Sequence, residues 1–244
     1  MTKRAAQQAG RSPARSEPKA NGVARVGLFG GTFNPIHVGH LRAAEEVREA
    51  LALERVIFVP SADPPLKRGR AEPIAPARER LRWVERAIAS NPAFAVDALE
   101  LERDGPSYTV DTLRVFGERL APELPVFVIG SDAFAELAMW REPKALLVLA
   151  HFAVLTRPPH VSASLAEWIP AELAADLVLS PDAQEARHRT AGSSMRCVPI
   201  RGLEVSSTDV RRRLSEGRSV RYLLPEPVLD EVLLSGVYGA RKVR

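Results

Sequence analysis

The sequence predicts an α/β protein built on a doubly wound parallel sheet, in a single domain with an insertion. Short apolar runs alternate with longer segments of helical periodicity, which is the pattern of parallel strands joined by crossover helices. The strand-like runs are apolar at nearly every position, as expected when helices cover both faces of a sheet. The chain has 244 residues, 45% of them hydrophobic and 26% charged, so it can bury a substantial core.

The first half of the sheet is predicted from two apolar runs. Residues 23–30 and 55–60 are each short, apolar and strand-like. Between them, residues 39–53 have helical spacing, and one face of that helix is formed by Leu41, Ala44, Val47 and Leu51. A polar, proline-rich loop follows the second strand, and a helix is predicted over residues 77–90.

The second half of the sheet follows a segment whose pattern fits either one or two short strands. Residues 94–103 predict one or two short strands, and residues 107–121 predict a helix that starts with hydroxyl side chains. The remaining strands are predicted within residues 125–130, 151–157 and 195–205. Ligands of such sheets bind at the carboxyl ends of the strands, where the unusual segments of this chain cluster.

Two segments lack this regularity. Residues 1–22 are rich in Ala, Arg, Gln, Pro and Gly and predict a disordered basic tail. A transit peptide is the alternative, but the prolines, the glycines and the missing apolar face argue against it. Residues 158–194 are predicted to be an irregular insertion within the one domain, which spans residues 23–244.

Composition narrows the class of protein. Cys197 is the single cysteine, which excludes an intramolecular disulfide and a zinc cage built from cysteines alone. The sequence shows neither a secretory h-region nor a stretch of transmembrane length, so we expect a cytoplasmic protein with no membrane partner. The net charge of +4 suits an anionic ligand, small or polymeric.

The most informative stretch is "GGTFNPIHVGHL", which connects the first strand to the first helix. Its spacing differs from the dinucleotide fingerprint, but Gly30 and Gly31 still allow the backbone to approach a ligand closely. His37 and His40 lie at a helix start, where imidazole and backbone N–H groups favour a phosphate. A tight turn with a capping or core histidine is the simpler alternative. A zinc site is disfavoured because no further ligands follow at suitable spacing.

A second anion-binding pattern lies near the other end of the chain, in "EVSSTDVRRRL". Hydroxyl side chains precede a helix here, and Arg211 follows Thr208 by three residues. Hydroxyls, helix N–H groups and a guanidinium together describe an anion site, although plain helix capping explains this segment equally well. Combined with the histidine turn, the pattern favours a polyphosphate held between two helix starts.

Three further segments follow predicted strands at the same edge. "PPLKRG" carries Lys67, Arg68 and Arg70, for which a solvated basic loop is the alternative. "GSD" places Asp132 where a carboxylate can accept hydrogen bonds from ribose hydroxyls, or can cap a helix. Trp140 can stack on a ligand ring, or it can belong to the core.

Together these motifs resemble the nucleotidylyltransferase superfamily, which has a Rossmann-like sheet, a His-x-Gly-His turn and a Ser-Ser-Thr-x-x-Arg helix start. "VPSADPPLK", "DGPSYTVDTL", "IGSDAF" and "LLPEPVLDEVLLSGVYG" are similar to its bacterial nicotinate-nucleotide adenylyltransferase family. The similarity runs from about Val23 to Gly239 and is loose across 158–194. It implies adenylyl transfer from ATP to nicotinate mononucleotide, giving deamido-NAD and pyrophosphate, with Mg²⁺ carried mainly by the ATP phosphates.

The resemblance also implies a role for each matching residue. The implied catalytic residues are His37, His40 and Arg211. The implied ATP-binding residues are Gly30, Gly31, Thr32, Phe33, His37, His40, Gly130, Asp132, Arg157, Ser207, Thr208 and Arg211. The implied mononucleotide-binding residues are Lys67, Ser107, Tyr108, Thr109 and Trp140. Two positions depart from the family pattern: Asn34 stands where Asp is usual, and Leu66 stands where His is usual.

Other functions remain open at this level. An adenylyltransferase could instead prefer nicotinamide mononucleotide or phosphopantetheine; the chain is long for the latter, and no side chain decides between nicotinate and nicotinamide. A basic nucleic-acid-binding protein is disfavoured because aromatic residues are only 6% and none lies in the basic stretches. A non-catalytic nucleotide sensor would be expected to lack one of the phosphate motifs. No pattern predicts an oligomeric state.

Overall fold

The computed structural model describes residues 25–65, 73–156 and 164–239, and within them eight strands form one sheet. In chain order the strands are β1 (Val26–Gly31), β2 (Arg55–Pro60), β3 (Phe94–Val96), β4 (Val126–Gly130), β5 (His151–Thr156), β6 (Leu177–Leu179), β7 (Glu185–His188) and β8 (Ser194–Pro199). Their spatial order is β3-β2-β1-β4-β5-β8-β7-β6. The first six in this order pair in parallel, and β7 and β6 extend the sheet antiparallel.

Helices connect these strands and cover the sheet. They are α1 (Val38–Ala50), α2 (Ala77–Ile88), α3 (Leu99–Glu102), α4 (Thr109–Leu120), α5 (Ser131–Ala135), α6 (Pro143–Leu149), α7 (Leu165–Trp168), α8 (Ala171–Ala174), α9 (Ser207–Ser215) and α10 (Glu226–Ser235). The long predicted helices are therefore present, with ends that differ from the sequence prediction by a few residues. No helix in the described ranges has the length and apolarity needed to cross a bilayer.

Both faces of the sheet are buried, as the apolar strands predict. In β4, Phe127 and Ile129 join a core cluster with side chains of α4, α5 and α6. Val128, between them, points to the opposite face and packs with Ala43 and Val47 of α1. Side chains of α2, α9 and α10 form a further cluster on that second face. The doubly wound, Rossmann-like arrangement is therefore confirmed.

The strand order reverses between β1 and β4. The chain proceeds from β1 outward to β2 and β3, and then returns to place β4 on the other side of β1. A reversal of this kind opens a crevice at the carboxyl ends of the two central strands, which is where ligands of open α/β sheets bind. The turn after β1 and the start of α5 after β4 both lie at this crevice.

Two segments differ from the sequence prediction. After β3 the chain forms α3 instead of a second strand, and the Asp97 carboxylate accepts a hydrogen bond from the Leu99 N–H (2.9 Å), which favours the helical turn. The segment 158–194, which has no clear periodicity, contains α7, α8 and the antiparallel pair β6–β7 in its described part. These elements are only three or four residues long, which is too short to produce a readable period. The predicted tail 1–22 lies outside the described residues.

The stability of this fold is expected to depend on the cluster that contains α4. Leu113 of α4 is fully buried, whereas Leu234 of α10 is 68% exposed. We expect Leu113→Ala to lower the free energy of unfolding by about 2–5 kcal/mol, because it leaves a cavity. The matched Leu234→Ala variant should change it by no more than about 0.5 kcal/mol. Urea unfolding monitored by circular dichroism measures both, and equal losses would contradict the assigned packing.

Candidate active site

The turn after β1 is anchored by its apolar residues. Phe33 has a φ of 46°, in the left-handed region that side chains other than glycine rarely adopt. Its ring is 3% exposed and Ile36 is fully buried, and this burial stabilises the strained backbone. The Phe33 ring is therefore part of the core, and only its backbone is left to approach a ligand.

The two histidines of the turn form a stacked pair. Their ring centroids are 3.6 Å apart, and the backbone N–H of His37 donates a hydrogen bond to Nδ1 of His40 at 3.2 Å. An Nδ1 that accepts a hydrogen bond leaves the proton of a neutral imidazole on Nε2. The Phe33 ring packs edge-on against the His40 ring, with centroids 5.2 Å apart. His40 is thereby oriented with an Nε2–H donor at the start of α1.

Gly39, between the two histidines, is required by close packing. A Cβ at this position would lie 3.0 Å from Nδ1 of His37 and 3.5 Å from the Val205 carbonyl oxygen. A side chain at this position would therefore force the His37 ring to shift, while it would only touch the segment that leads into α9. This contact explains the glycine in His-x-Gly-His.

The helix start of α9 contacts the turn directly. Ser207 Oγ donates to the Pro35 carbonyl at 2.9 Å, and Arg211 Nη1 donates to the Asn34 carbonyl at 2.9 Å. Arg211 is only 9% exposed and also donates through Nη2 to Thr208 Oγ1 at 3.1 Å. The two anion-binding patterns of the sequence, far apart in the chain, are thus joined in the structure. Ser207 and Arg211 also have a structural task, since they hold the turn.

A cavity of about 330 Å³ lies at the carboxyl end of β1. Its lining brings together the predicted ATP-binding and mononucleotide-binding segments, represented by Gly30, Gly31, Thr32, Ser107, Tyr108, Thr109 and Trp140. The imidazoles and Arg211 lie outside this lining. The end of β1 therefore separates two neighbouring regions, one with the phosphate-type donors and one with an aromatic wall.

The aromatic wall consists of Tyr108 and Trp140. The Trp140 ring packs edge-on against Phe127 with centroids 6.3 Å apart, and the Arg141 guanidinium lies over the Tyr108 ring at 4.7 Å. The Trp140 indole Nε1 is buried and has no hydrogen-bond partner among the residues that the structure describes. The wall can therefore present flat aromatic surface, and it retains one unused N–H donor.

Ser107 lines the cavity, but its hydroxyl is engaged within the protein. Oγ accepts hydrogen bonds from the Ala62 N–H (2.9 Å) and the Asp63 N–H (3.1 Å). Ser107 thus fixes the loop after β2. Glu100, which the sequence analysis did not single out, also lines the cavity, and its carboxylate accepts a hydrogen bond from the Thr112 hydroxyl at 2.6 Å. Burial raises the pKa of Glu100.

Arg80 is a second residue that the sequence analysis missed. Its guanidinium is 1% exposed and donates to the carbonyls of Ala75 (2.9 Å), Thr32 (2.6 Å) and Ala62 (3.2 Å). Burial lowers the pKa of Arg80 to about 10, so it stays protonated at neutral pH. In sequence it is one of several charged residues of a helix and gives no sign of burial.

The other predicted residues fall at the same edge or outside the described residues. Gly130 ends β4 and precedes α5, and Asp132 is exposed in the first turn of α5. The remaining residues, including one of the two departures from the family pattern, lie outside the described ranges: Leu66, Lys67, Arg68, Arg70 and Arg157. Within those ranges no group of three or more His, Cys, Asp or Glu side chains could hold a metal ion.

A Rossmann-like sheet with a histidine turn and a Ser-Ser-Thr helix start at its crevice defines the nucleotidyltransferase class. The family model described as Cytidylyltransferase-like matches residues 28–213. A protein of Halorhodospira halophila, named a probable nicotinate-nucleotide adenylyltransferase, is 43% identical over 88% of this chain and 95% of its own. A Geobacter metallireducens protein of the same name is 41% identical over 88% of this chain and 98% of its own. The chain belongs to the cytidylyltransferase-like family and, within it, to the nicotinate-nucleotide adenylyltransferases.

A solved structure shows the same fold. Nicotinic acid mononucleotide adenylyltransferase from Plasmodium falciparum, in complex with NaAD, superposes with a TM-score of 0.65. The superposition covers 89% of this chain and 98% of the other, at 14% sequence identity. At this identity the comparison supports the fold, while membership of the family rests on the sequence matches.

Glu100→Gln is expected to change how stability depends on pH. Burial raises the pKa of the carboxyl above its ordinary value of 4.5, so the folded protein binds this proton more tightly than the unfolded chain. Relative to Glu100→Gln, the wild type should therefore be most stable at acid pH and lose stability as the pH rises through the raised pKa. Urea unfolding between about pH 4 and pH 8 measures this difference.

The control for this measurement is Glu118→Gln, which removes an exposed carboxylate from α4. The difference between wild type and this control should stay nearly constant across the same pH range. A wild-type curve parallel to that of Glu100→Gln would show that Glu100 does not titrate differently in the folded protein.

Proposed function

We propose that this protein transfers the adenylyl group of ATP to nicotinate mononucleotide, giving deamido-NAD and pyrophosphate, a step of NAD biosynthesis. One observation carries the proposal: the histidine turn, joined to the start of α9, lies next to a cavity with an aromatic wall. The histidine turn and the start of α9 suit a polyphosphate, and the cavity with its aromatic wall suits a pyridine ring. The names of the relatives, 43% and 41% identical to this chain, support the same reaction.

The reaction requires positioning more than covalent chemistry. The phosphate oxygen of the mononucleotide is already ionised, so its attack on the ATP α-phosphorus needs no general base. A bond forms between this oxygen and the α-phosphorus, and the bond from the α-phosphorus to the bridging oxygen breaks. Pyrophosphate leaves with the electron pair. The protein is left with the task of aligning the two phosphates and neutralising their charge.

His40 is the proposed donor to the reacting phosphate. Its Nδ1 accepts a hydrogen bond from the backbone N–H of His37, so a neutral His40 ring carries its proton on Nε2. The Nε2–H group can then donate a hydrogen bond to the phosphate. We propose that His37, Thr208 and Arg211 hold the remaining phosphates, with the backbone of Gly30 and Gly31 close to the nucleotide. Gly130, Asp132 and Arg157 are proposed to contact the adenosine, and Lys67 the mononucleotide phosphate.

The cavity is the proposed site of the pyridine ring. Tyr108 and Trp140 supply flat apolar surface, and the Thr109 N-terminal turn of α4 supplies backbone N–H groups. Arg141 also lines the cavity and adds a positive charge beside it. A cation and free helix N–H groups favour a carboxylate over an amide, which supports nicotinate rather than nicotinamide mononucleotide.

Mg²⁺ is proposed to enter with ATP. It prefers oxygen ligands and commonly keeps several waters, so nucleotide phosphates can hold it without a cage of protein carboxylates. When bound it would neutralise charge on the leaving pyrophosphate.

A reaction that uses ATP and nicotinate mononucleotide favours the cytoplasmic location predicted from the sequence. We also propose that the catalytic domain spans residues 23–244.

An assay of substrate choice tests the function. Purified protein is incubated with Mg-ATP and, separately, with nicotinate mononucleotide, nicotinamide mononucleotide or phosphopantetheine, while pyrophosphate release is followed. We expect the highest kcat/KM with nicotinate mononucleotide, and deamido-NAD as the product. Release with phosphopantetheine alone would assign a different acceptor, and no release with either pyridine mononucleotide would refute the proposal.

His40→Ala is expected to lower kcat by about 10² or more, because it removes a hydrogen-bond donor aimed at the charge that develops in the transition state. His188→Ala is the matched control. Its ring accepts the Thr190 and Ala191 N–H groups in the turn before β8, at the sheet edge opposite the active site. Steady-state kinetics should show near-wild-type kcat for the control. Near-wild-type kcat for His40→Ala would remove His40 from the mechanism.

A further inference from the structure

The C-terminal segment after α10 reaches the turn that holds the two histidines. Tyr238 is 3% exposed, and its hydroxyl donates to Oδ1 of Asn34 at 2.5 Å, across 204 residues of sequence. A second contact comes from the segment before α10, where the Leu223 carbonyl accepts the Val38 N–H at 3.0 Å. Chain from both sides of α10 therefore touches the turn and the start of α1.

The orientation of the Asn34 side chain is fixed by two partners, one of which can only accept a hydrogen bond and the other only donate one. Its Nδ2 donates to the Pro73 carbonyl at 2.9 Å, and its Oδ1 accepts the Ala75 N–H at 3.0 Å. A carbonyl only accepts and an N–H only donates, so these partners define the orientation of the amide. A carboxylate here would place an oxygen against the Pro73 carbonyl oxygen. These two partners therefore suit an amide at position 34 of this chain better than a carboxylate.

Asn34 is consequently a junction between four parts of the protein. Its carbonyl accepts Arg211 Nη1 from α9, and its side chain joins residues 73–75 to Tyr238. The residue is 4% exposed, so none of these bonds competes with bulk water. Asn34 lies three residues before His37, and movement of its side chain would be passed directly to the histidine pair.

We propose that Tyr238 is a positioning residue for adenylyl transfer, which acts through the Asn34 amide on the turn that carries His37 and His40. The inference rests on the proposed function for its catalytic readout. Tyr238 does not line the cavity, and its effect is indirect. Its hydroxyl supplies one of two donors to the Asn34 oxygen and thereby holds the turn against Arg211.

Tyr238 also packs in the core, where its ring lies 6.1 Å from that of Trp83. The test must therefore separate the hydroxyl from the ring. Tyr238→Phe keeps the ring and removes only the hydrogen bond to Asn34. Tyr222→Phe is the matched control, because Tyr222 is 82% exposed and the same atom is removed.

The kinetic experiment compares wild type, both Phe variants, Asn34→Ala and the double variant of Asn34 and Tyr238, at a temperature where circular dichroism shows all to be folded. Tyr238→Phe should lower kcat about five- to tenfold, the scale of one lost hydrogen bond, with the KM for the mononucleotide unchanged. In the Asn34→Ala background the same change should have no further effect, because the two residues act as a unit. Tyr222→Phe should match the wild type.

A structural readout keeps the inference separate from the proposed function. The imidazole ¹⁵N resonances of His37 and His40 should shift in Tyr238→Phe and not in Tyr222→Phe. Wild-type kcat and unshifted resonances in Tyr238→Phe would overturn the positioning role while leaving the adenylyl transfer intact. Additive losses in the double variant would also overturn it. An inactive wild type would refute the proposed function, and the resonances would still decide whether Tyr238 positions the turn.

Discussion

The guanidinium of Arg80 holds the carboxyl edge of the sheet together. Loops that leave parallel strands expose carbonyls that no neighbouring strand can satisfy, and a buried carbonyl without a donor is costly. Arg80 donates to three carbonyls in two such connections, at Thr32 after β1 and at Ala62 and Ala75 between β2 and α2. An arginine can make these bonds at once because its planar fork presents five N–H donors in a fixed geometry. Arg80 thereby links the histidine turn to the segment between β2 and α2, a link that the Asn34 side chain reinforces.

Hydrogen bonds within the protein occupy several groups that resemble ligand contacts in sequence. The resemblance assigns Ser107 and Ser207 to ligands, yet both hydroxyls bond to the protein: Ser107 accepts the N–H groups of the loop after β2, and Ser207 donates to the Pro35 carbonyl. Arg211 likewise bonds to the Asn34 carbonyl. Bonds within the protein therefore hold much of the site in place. Such preorganisation suits a reaction whose catalysis consists mainly of alignment.

The sequence predicted the central sheet and marked the motif segments that the structure brings to one edge of it, because both follow from local patterns. The apolar strands read clearly because helices bury them on both sides, and the motifs stand out by residue type. Glu100, Arg80 and Tyr238 could not be found in this way, since a charged or aromatic residue on a helix or near a chain end has no local sign of its partner. β6 and β7 escaped detection because they are only three and four residues long, and β7 is mostly polar, so neither shows a readable period.

The contacts of the turn come from opposite ends of the polypeptide. Ser207 and Pro35 are separated by 172 residues, and Tyr238 and Asn34 by 204. During synthesis the histidine turn therefore leaves the ribosome 172 to 204 residues ahead of the side chains that hold it. A chain that stops before Tyr238 contains every motif of the catalytic signature but not every contact that orients it.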